Sequence, residues 1–309
     1  MTVETTPSLP KQLLAQGRPL DLSASALGEL RQTRGGGVPR AALLERLDAD
    51  GYLYLPGWLD RDSVLATRRD LLERIAALGW LADGTRPDDA EPSQNVTRRM
   101  LNDVASQSGI LQRLLYSGAM IELYELLFGE PVRHFDFTWL RAYPPGPGTG
   151  PHIDSVFMNR GTRTLLTAWV PLGNVDRHQG GLAILENSHR LEQIRAKYGD
   201  LDVDAYCLDD EHADAAASSQ TLLWNGTISA DPVALREELG LRWLTADFQA
   251  GDVLTFPIYT VHISLDNTTT RLRLSSDSRY QRASEPADPR WIGPEPSGHG
   301  SQSKIGVVC

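Results

Sequence analysis

The sequence predicts an α+β fold in which a helical front half is followed by a β-sandwich or barrel. Up to Phe128 the apolar residues recur at helical spacing, whereas from Val132 onward they alternate or form short runs bounded by Gly, Pro and Asn. The chain has 309 residues, 41% of them hydrophobic and 23% charged, which is enough to bury a sizeable core. Disordered and fibrous classes are excluded on that balance. At roughly 150 residues per domain the length admits two units, but all-β units reach about 250 residues as one. One domain over 41–290 is expected, between an irregular lead-in at 1–40 and a wrapping tail at 291–309.

The elements follow in order. The run Arg34-Gly35-Gly36-Gly37 lacks the Lys-Ser/Thr of a phosphate loop and reads as the lead-in to a helix over Ala41 to Asp48, stopped by Gly51. Tyr52, Tyr54 and Leu55 form a short strand closed by Pro56-Gly57. Asp60 or Asp62 caps a second helix, whose Val64, Leu65, Leu71, Leu72, Ile75 and Leu78 fall on one face. Asp83 to Pro92 is an exposed loop, and Ile110 to Phe128 is a further helix ended by Gly129 and Pro131. Strands are expected at Phe135 to Trp139, Leu165 to Val170, Gly181 to Leu185, Thr221 to Trp224, Asp252 to Phe256, Val261 to Leu265 and Arg271 to Ser275.

The formal charge of −10 repels polyanions, so nucleic acid and anionic membrane surfaces are not expected partners. No run of about 18 apolar residues exists, and Met1 to Pro10 has neither a basic nor an apolar region of a leader. With only Cys207 and Cys309, and no pairing motif, a reducing cytoplasmic setting is expected. Nothing in the residues specifies the oligomeric state.

Two histidines stand in chemically suggestive company. His152 and Asp154, two residues apart in Gly150-Pro151-His152-Ile153-Asp154, leave the same face of an extended segment, as a cis pair of metal ligands requires. His262, in Tyr259-Thr260-Val261-His262-Ile263-Ser264, is suited to join them from an adjacent strand. Two imidazoles and one carboxylate on one face of an octahedral ion leave three positions open, the arrangement of non-haem Fe(II) oxygenases. A His-x-Asp pair by itself is also what a turn Asp beside a hydrogen-bonded His looks like. The weight shifts with Arg273, which returns after the Asp266-Asn267 turn. A buried guanidinium there needs an anion, and its fork matches the carboxylate of a dicarboxylate co-substrate. Arg271, on the same face by alternation, competes for that role.

Together, His152-Ile153-Asp154, the strand Leu165 to Leu172, the run Gly180-Gly181-Leu182-Ala183-Ile184-Leu185-Glu186-Asn187-Ser188-His189, Gly251-Asp252-Val253, His262-x-Ser264, Asn267 and Arg273 resemble the phytanoyl-CoA dioxygenase family of Fe(II)/2-oxoglutarate oxygenases. The resemblance covers roughly residues 45 to 285. It implies a double-stranded β-helix, or jelly roll, with helices packed on one sheet. It implies Fe(II) on His152, Asp154 and His262, and the distal carboxylate of 2-oxoglutarate on Arg273 with Ser264 beside it. Trp169 falls where the family sets an aromatic residue against the co-substrate, and Arg99 near its basic residue toward 2-oxoglutarate, although Arg98-Arg99 also reads as an exposed charged pair. The family's Pro-Gly-Ser-His run is Glu186-Asn187-Ser188-His189 here, so that turn is expected to differ.

Related halogenating enzymes replace the acidic ligand by a small residue, whereas Asp154 is present, which favours hydroxylation or another oxidation over halogenation. The expected activity is a dioxygenase that uses O2 and 2-oxoglutarate to oxidise a small molecule, releasing succinate and CO2. A non-catalytic jelly-roll module that binds or senses a ligand is the alternative. His134 and His189 are read as structural, and Trp139 and Tyr143 as cavity wall or core. With only three lysines, Lys11, Lys197 and Lys304, a lysine-rich CoA-phosphate patch is absent, which points to a free small-molecule substrate.

Overall fold

The computed structural model describes residues 12–34, 37–94, 96, 100–206 and 224–299. Arg98, Arg99, Cys207 and Cys309 lie outside them, as do residues 221–223 of the strand expected there. The first helix, α1 (Arg40–Asp50), ends where Gly51 adopts φ +75°, which lets its N–H close on the Leu47 carbonyl. In α2 (Arg61–Ala77) the expected cap is Asp60, whose carboxylate accepts the Ser63 N–H at 2.8 Å.

The long helix expected from Ile110 to Phe128 is instead two, α4 (Gly109–Tyr116) and α5 (Ala119–Phe128), preceded by α3 (Asn102–Gln107). The chain breaks at Gly118, which takes φ +54° and ψ −129°, a conformation open to glycine and not to a continuing helix. The apolar spacing runs through the break because both helices bury their faces in one cluster. Part of the lead-in expected to be irregular is strand: β1 (Leu14–Ala15) and β2 (Arg18–Pro19) form a hairpin, and β3 (Leu27–Glu29) joins a sheet.

Two sheets face each other. The larger runs in the order β4 (Leu53–Leu55), β10 (Val253–Pro257), β7 (Leu166–Pro171), β12 (Arg273–Arg282), all antiparallel. The far edge of β12 is shared, β5 (Val132–His134) pairing with its C-terminal end and β6 (Trp139–Tyr143) with its start. The smaller sheet has the order β11 (His262–Ser264), β8 (Leu182–Leu185), β9 (Trp243–Thr245), β3. Alternation sorts the side chains. On the outer face of the large sheet, Leu53, Leu55, Leu140, Ala142, Ala168, Val170, Leu274 and Tyr280 pack under α1, α2, α4 and α5. Between the sheets, Trp169, Leu254 and Phe256 meet Leu182, Ile184, Leu244 and Phe248. This is the jelly roll with helices on one sheet. Two short helices, α6 (Glu192–Tyr198) and α7 (Pro232–Leu239), flank the smaller sheet through Ile194 and Leu235. No described helix is long and apolar enough to cross a membrane.

Strand β12 differs from its neighbours. Apart from Arg282 every residue in it is buried, yet its inward face is Arg273, Ser275, Asp277, Arg279 and Gln281. A polar stripe in the interior of a sandwich is expensive unless its charges find partners.

Candidate metal centre

The ligand geometry begins with backbone pairing. His152 and His262 form an antiparallel bridge, the N–H of each donating to the carbonyl of the other at 3.2 and 3.1 Å. Their rings stand with centroids 4.1 Å apart. The loop carrying His152 reaches β11 this closely because Gly148 has no side chain: a Cβ there would fall 2.0 Å from the Ser264 carbonyl oxygen. Ile153 is extended, and Asp154 then opens a short 3-10 turn, Asp154–Val156, which turns the carboxylate inward beside the imidazoles. One ligand atom from each of His152, Asp154 and His262 lies within 4.8 Å of the other two.

The hydrogen bonds leave the correct atoms available. Nδ1 of His152 is 2.8 Å from the Gly150 carbonyl, and Nδ1 of His262 is 3.0 Å from the Thr260 carbonyl. A carbonyl only accepts, so each Nδ1 carries the proton and each Nε2 presents its lone pair to the site. Burial is the main reason that the His152 imidazole is pushed down to about 3, with the neighbouring His262 adding to it; burial likewise lowers His262. Both rings are therefore neutral, as metal ligation requires. Burial by itself would raise Asp154, but Arg279, the two imidazoles and the Thr167 hydroxyl outweigh it and hold the carboxyl well below its usual range. The set of two neutral imidazole nitrogens and one carboxylate oxygen fits a divalent transition metal.

Arg273 is fully buried in the same interior. Its Nη1 donates to the Gly180 carbonyl at 3.1 Å and lies 3.5 Å from the Ser264 hydroxyl, and its guanidinium stacks 4.4 Å from the Tyr143 ring and 6.0 Å from that of Trp169. Arg273, Ser264 and Trp169 are thus brought together. Arg271 is not: it is exposed and precedes β12, so the alternation that set it on the face of Arg273 does not extend to it. The reading of His189 as structural agrees with its Nε2 lying 2.9 Å from the Asp48 carbonyl. In its turn Asn187 takes φ +57°, in the left-handed region that Asn tolerates where the family's run has Gly.

Four inward-facing residues escaped the sequence reading. Arg279 Nη2 is 3.1 Å from Asp154 Oδ2, and the Thr167 hydroxyl donates to the same oxygen at 2.5 Å. Arg141 Nε donates to Asp277 Oδ2 at 2.6 Å, and Arg279 Nη1 lies 3.8 Å from that oxygen. The signal that could have found Arg279 and Asp277 is their even offset from Arg273 on one strand.

The comparisons agree with this geometry. The family described as phytanoyl-CoA dioxygenase matches residues 47–275. Two relatives are each named 1-deoxypentalenic acid 11-beta-hydroxylase. The one from Streptomyces arenae is 29% identical, covering 79% of this chain and 82% of the relative; the one from Streptomyces exfoliatus is 27% identical over the same shares. Among solved structures, the non-heme alpha ketoglutarate dependent epimerase SnoN from nogalamycin biosynthesis is 22% identical, with a TM-score of 0.55 over 85% of this chain and 94% of that one. The apoform of EctD from S. alaskensis is 17% identical, with a TM-score of 0.57 over 96% and 98%. A match over most of the chain, on a jelly roll whose interior gathers two imidazoles and a carboxylate, makes this protein a member of the phytanoyl-CoA dioxygenase family and an Fe(II)/2-oxoglutarate-dependent dioxygenase.

Proposed function

We propose that His152 and His262, through Nε2, and Asp154, through Oδ1, hold the Fe(II), and that Arg273 with Ser264 receives the distal carboxylate of 2-oxoglutarate, with Trp169 against the co-substrate. The observation that carries the reading is the trio of ligand atoms within 4.8 Å, with both Nδ1 atoms already committed to backbone carbonyls. We infer hydroxylation of a small-molecule carboxylic acid, a class suggested by the names of the two relatives. The reaction balances as substrate C–H, 2-oxoglutarate and O2 giving the alcohol, succinate and CO2.

The bound metal supplies the activation of O2. The chain's own residues position and enclose. Arg273 fixes one end of the co-substrate by a charge-assisted fork, while the Gly180 carbonyl and the Tyr143 ring hold the guanidinium in place. Phe157 stands edge-on to His152 at 5.9 Å, giving the site an apolar wall on that side. Thr260 and Gly150 fix the imidazole orientations through their carbonyls. The fold supplies a rigid frame, since each of these groups sits on or beside a paired strand.

The test is to incubate purified protein with Fe(II), 2-oxoglutarate, O2 and a panel of alicyclic carboxylic acids. A product heavier by one oxygen, formed together with an equal amount of succinate, is expected. Succinate no higher than in a His262→Ala control, with every acid and without one, would overturn the reading in favour of a module that binds without turnover.

A further inference from the structure

We propose that Arg279 is a positioning residue that keeps Asp154 a one-oxygen ligand; this rests on the proposed assignment of Asp154 to the metal. The two oxygens of Asp154 are in different surroundings. Oδ2 is taken by two donors, Arg279 Nη2 and the Thr167 hydroxyl, whereas Oδ1 faces the metal side, 3.8 Å from His262 Nε2. The two donors come from facing positions of the large sheet, because Arg279 and Thr167 are register partners across β12 and β7. The side chains of Arg279 and Asp154 are each 3% exposed, so water does not compete for the bond.

Arg279 is itself held. Its guanidinium lies 4.2 Å from the Trp139 ring, and its Nη1 faces the Asp277 carboxylate, which Arg141 fixes from the other side. A guanidinium packed against a ring and drawn toward a second carboxylate at 3.8 Å has little freedom to follow Asp154 if that side chain rotates. The consequence concerns coordination number. A carboxylate that binds through both oxygens occupies two of six positions and, with two imidazoles, leaves only two open. A chelating co-substrate then either fills both, so that nothing remains for oxygen, or has to displace Oδ2. With Oδ2 withheld, Asp154 occupies one position and three stay open.

The test compares wild type, Arg279→Gln, Arg279→Lys and Thr167→Val, with Arg271→Gln as an exposed control, all loaded with Co(II) without oxygen. Electronic absorption reports the donor set around Co(II), and titration reports 2-oxoglutarate affinity. Arg279→Gln is expected to retain Co(II), to show shifted ligand-field bands as Oδ2 replaces water at one of the six positions, and to lose about tenfold in 2-oxoglutarate affinity because the co-substrate then competes with Oδ2. Arg279→Lys restores part of the loss, Thr167→Val shows the same shift to a smaller extent, and Arg271→Gln matches wild type. Should Arg279→Gln not fold, Lys and Thr167→Val carry the comparison. Unchanged Co(II) spectra and 2-oxoglutarate affinity in the folded variants, with only a lowered Tm, would overturn the proposal and leave Arg279 a structural residue. Wild-type Co(II) binding that survives Asp154→Ala with the same spectrum would instead overturn the ligand assignment itself, and the proposal with it.

Discussion

His152 and His262 are bound to each other through their backbones in both directions, so the two imidazoles of the site stand side by side because the segments that carry them are paired. The spacing between the nitrogens is thus set by sheet geometry, and it does not depend on a metal to draw the ligands together. A site built in this way is ordered before its cofactor arrives.

Replacing Arg273 by Ala should weaken 2-oxoglutarate binding by about 3 kcal/mol, or about a hundredfold, since an incoming carboxylate loses the buried charge partner proposed for it. Lys should restore part of this, as a point charge without the planar fork. Arg271→Ala should behave as wild type, because Arg271 is exposed. Anaerobic titration calorimetry of the three variants decides it: a large loss in Arg271→Ala with none in Arg273→Ala would reverse the assignment.

Acid should destabilise the metal-free protein earlier than its carboxylates alone would. His152 and His262 ionise near 6.5 when unfolded, but in the fold burial depresses both, His152 to about 3. Below pH 6.5 the unfolded chain therefore binds more protons than the folded one, and stability falls as pH falls. Asp154, also depressed, adds a further loss below its unfolded value of 3.8. Tm should drop steadily from pH 7 to pH 4, and His152→Gln should flatten the upper part of that slope. A flat wild-type profile over this range would contradict the account.

Arg290 should matter for stability out of proportion to its distance from the chemistry. It donates to Asp288 at 2.6 Å, Asp204 at 2.6 Å, Asp202 at 3.1 Å and the Phe157 carbonyl at 3.1 Å, tying the turn at Pro289–Trp291 to the loop beside His152. Arg290→Ala leaves the buried Asp288 carboxylate without its cation, at a loss of about 3 to 5 kcal/mol in urea denaturation. A loss below about 1 kcal/mol, the scale of an exposed ion pair, would show that the network is dispensable.

How legible the molecule is in its sequence depends on whether burial and polarity agree. The helices α1 and α2 and strands β7, β8, β10 and β11 were legible because their buried faces are apolar and the periodicity shows them. The break at Gly118 was not, because both helices present apolar residues to one cluster and only the backbone conformation differs. Strand β12 was expected only to Ser275 and runs to Arg282. Its second half, Ser276-Asp277-Ser278-Arg279, looks solvent-exposed by composition, yet it is buried against partners supplied by β6, β7 and the Asp154 turn. For the same reason the ligands were readable, since His-x-Asp is a local pattern, whereas Arg279 and Thr167 gain meaning only from the register between two strands. Arg99 falls outside the described residues.

The central claim, that His152, Asp154 and His262 form one Fe(II) site that chelates 2-oxoglutarate, is tested most directly by anaerobic titration of Fe(II) and 2-oxoglutarate into the protein. The readout is the metal-to-ligand charge-transfer band. Wild type should bind one Fe(II) per chain and develop the band on adding 2-oxoglutarate, while His152→Ala, His262→Ala and Asp154→Gly should lose the metal or the band with their fold intact by circular dichroism. A full band in His152→Ala and His262→Ala would mean that the iron is held elsewhere, and would contradict the account.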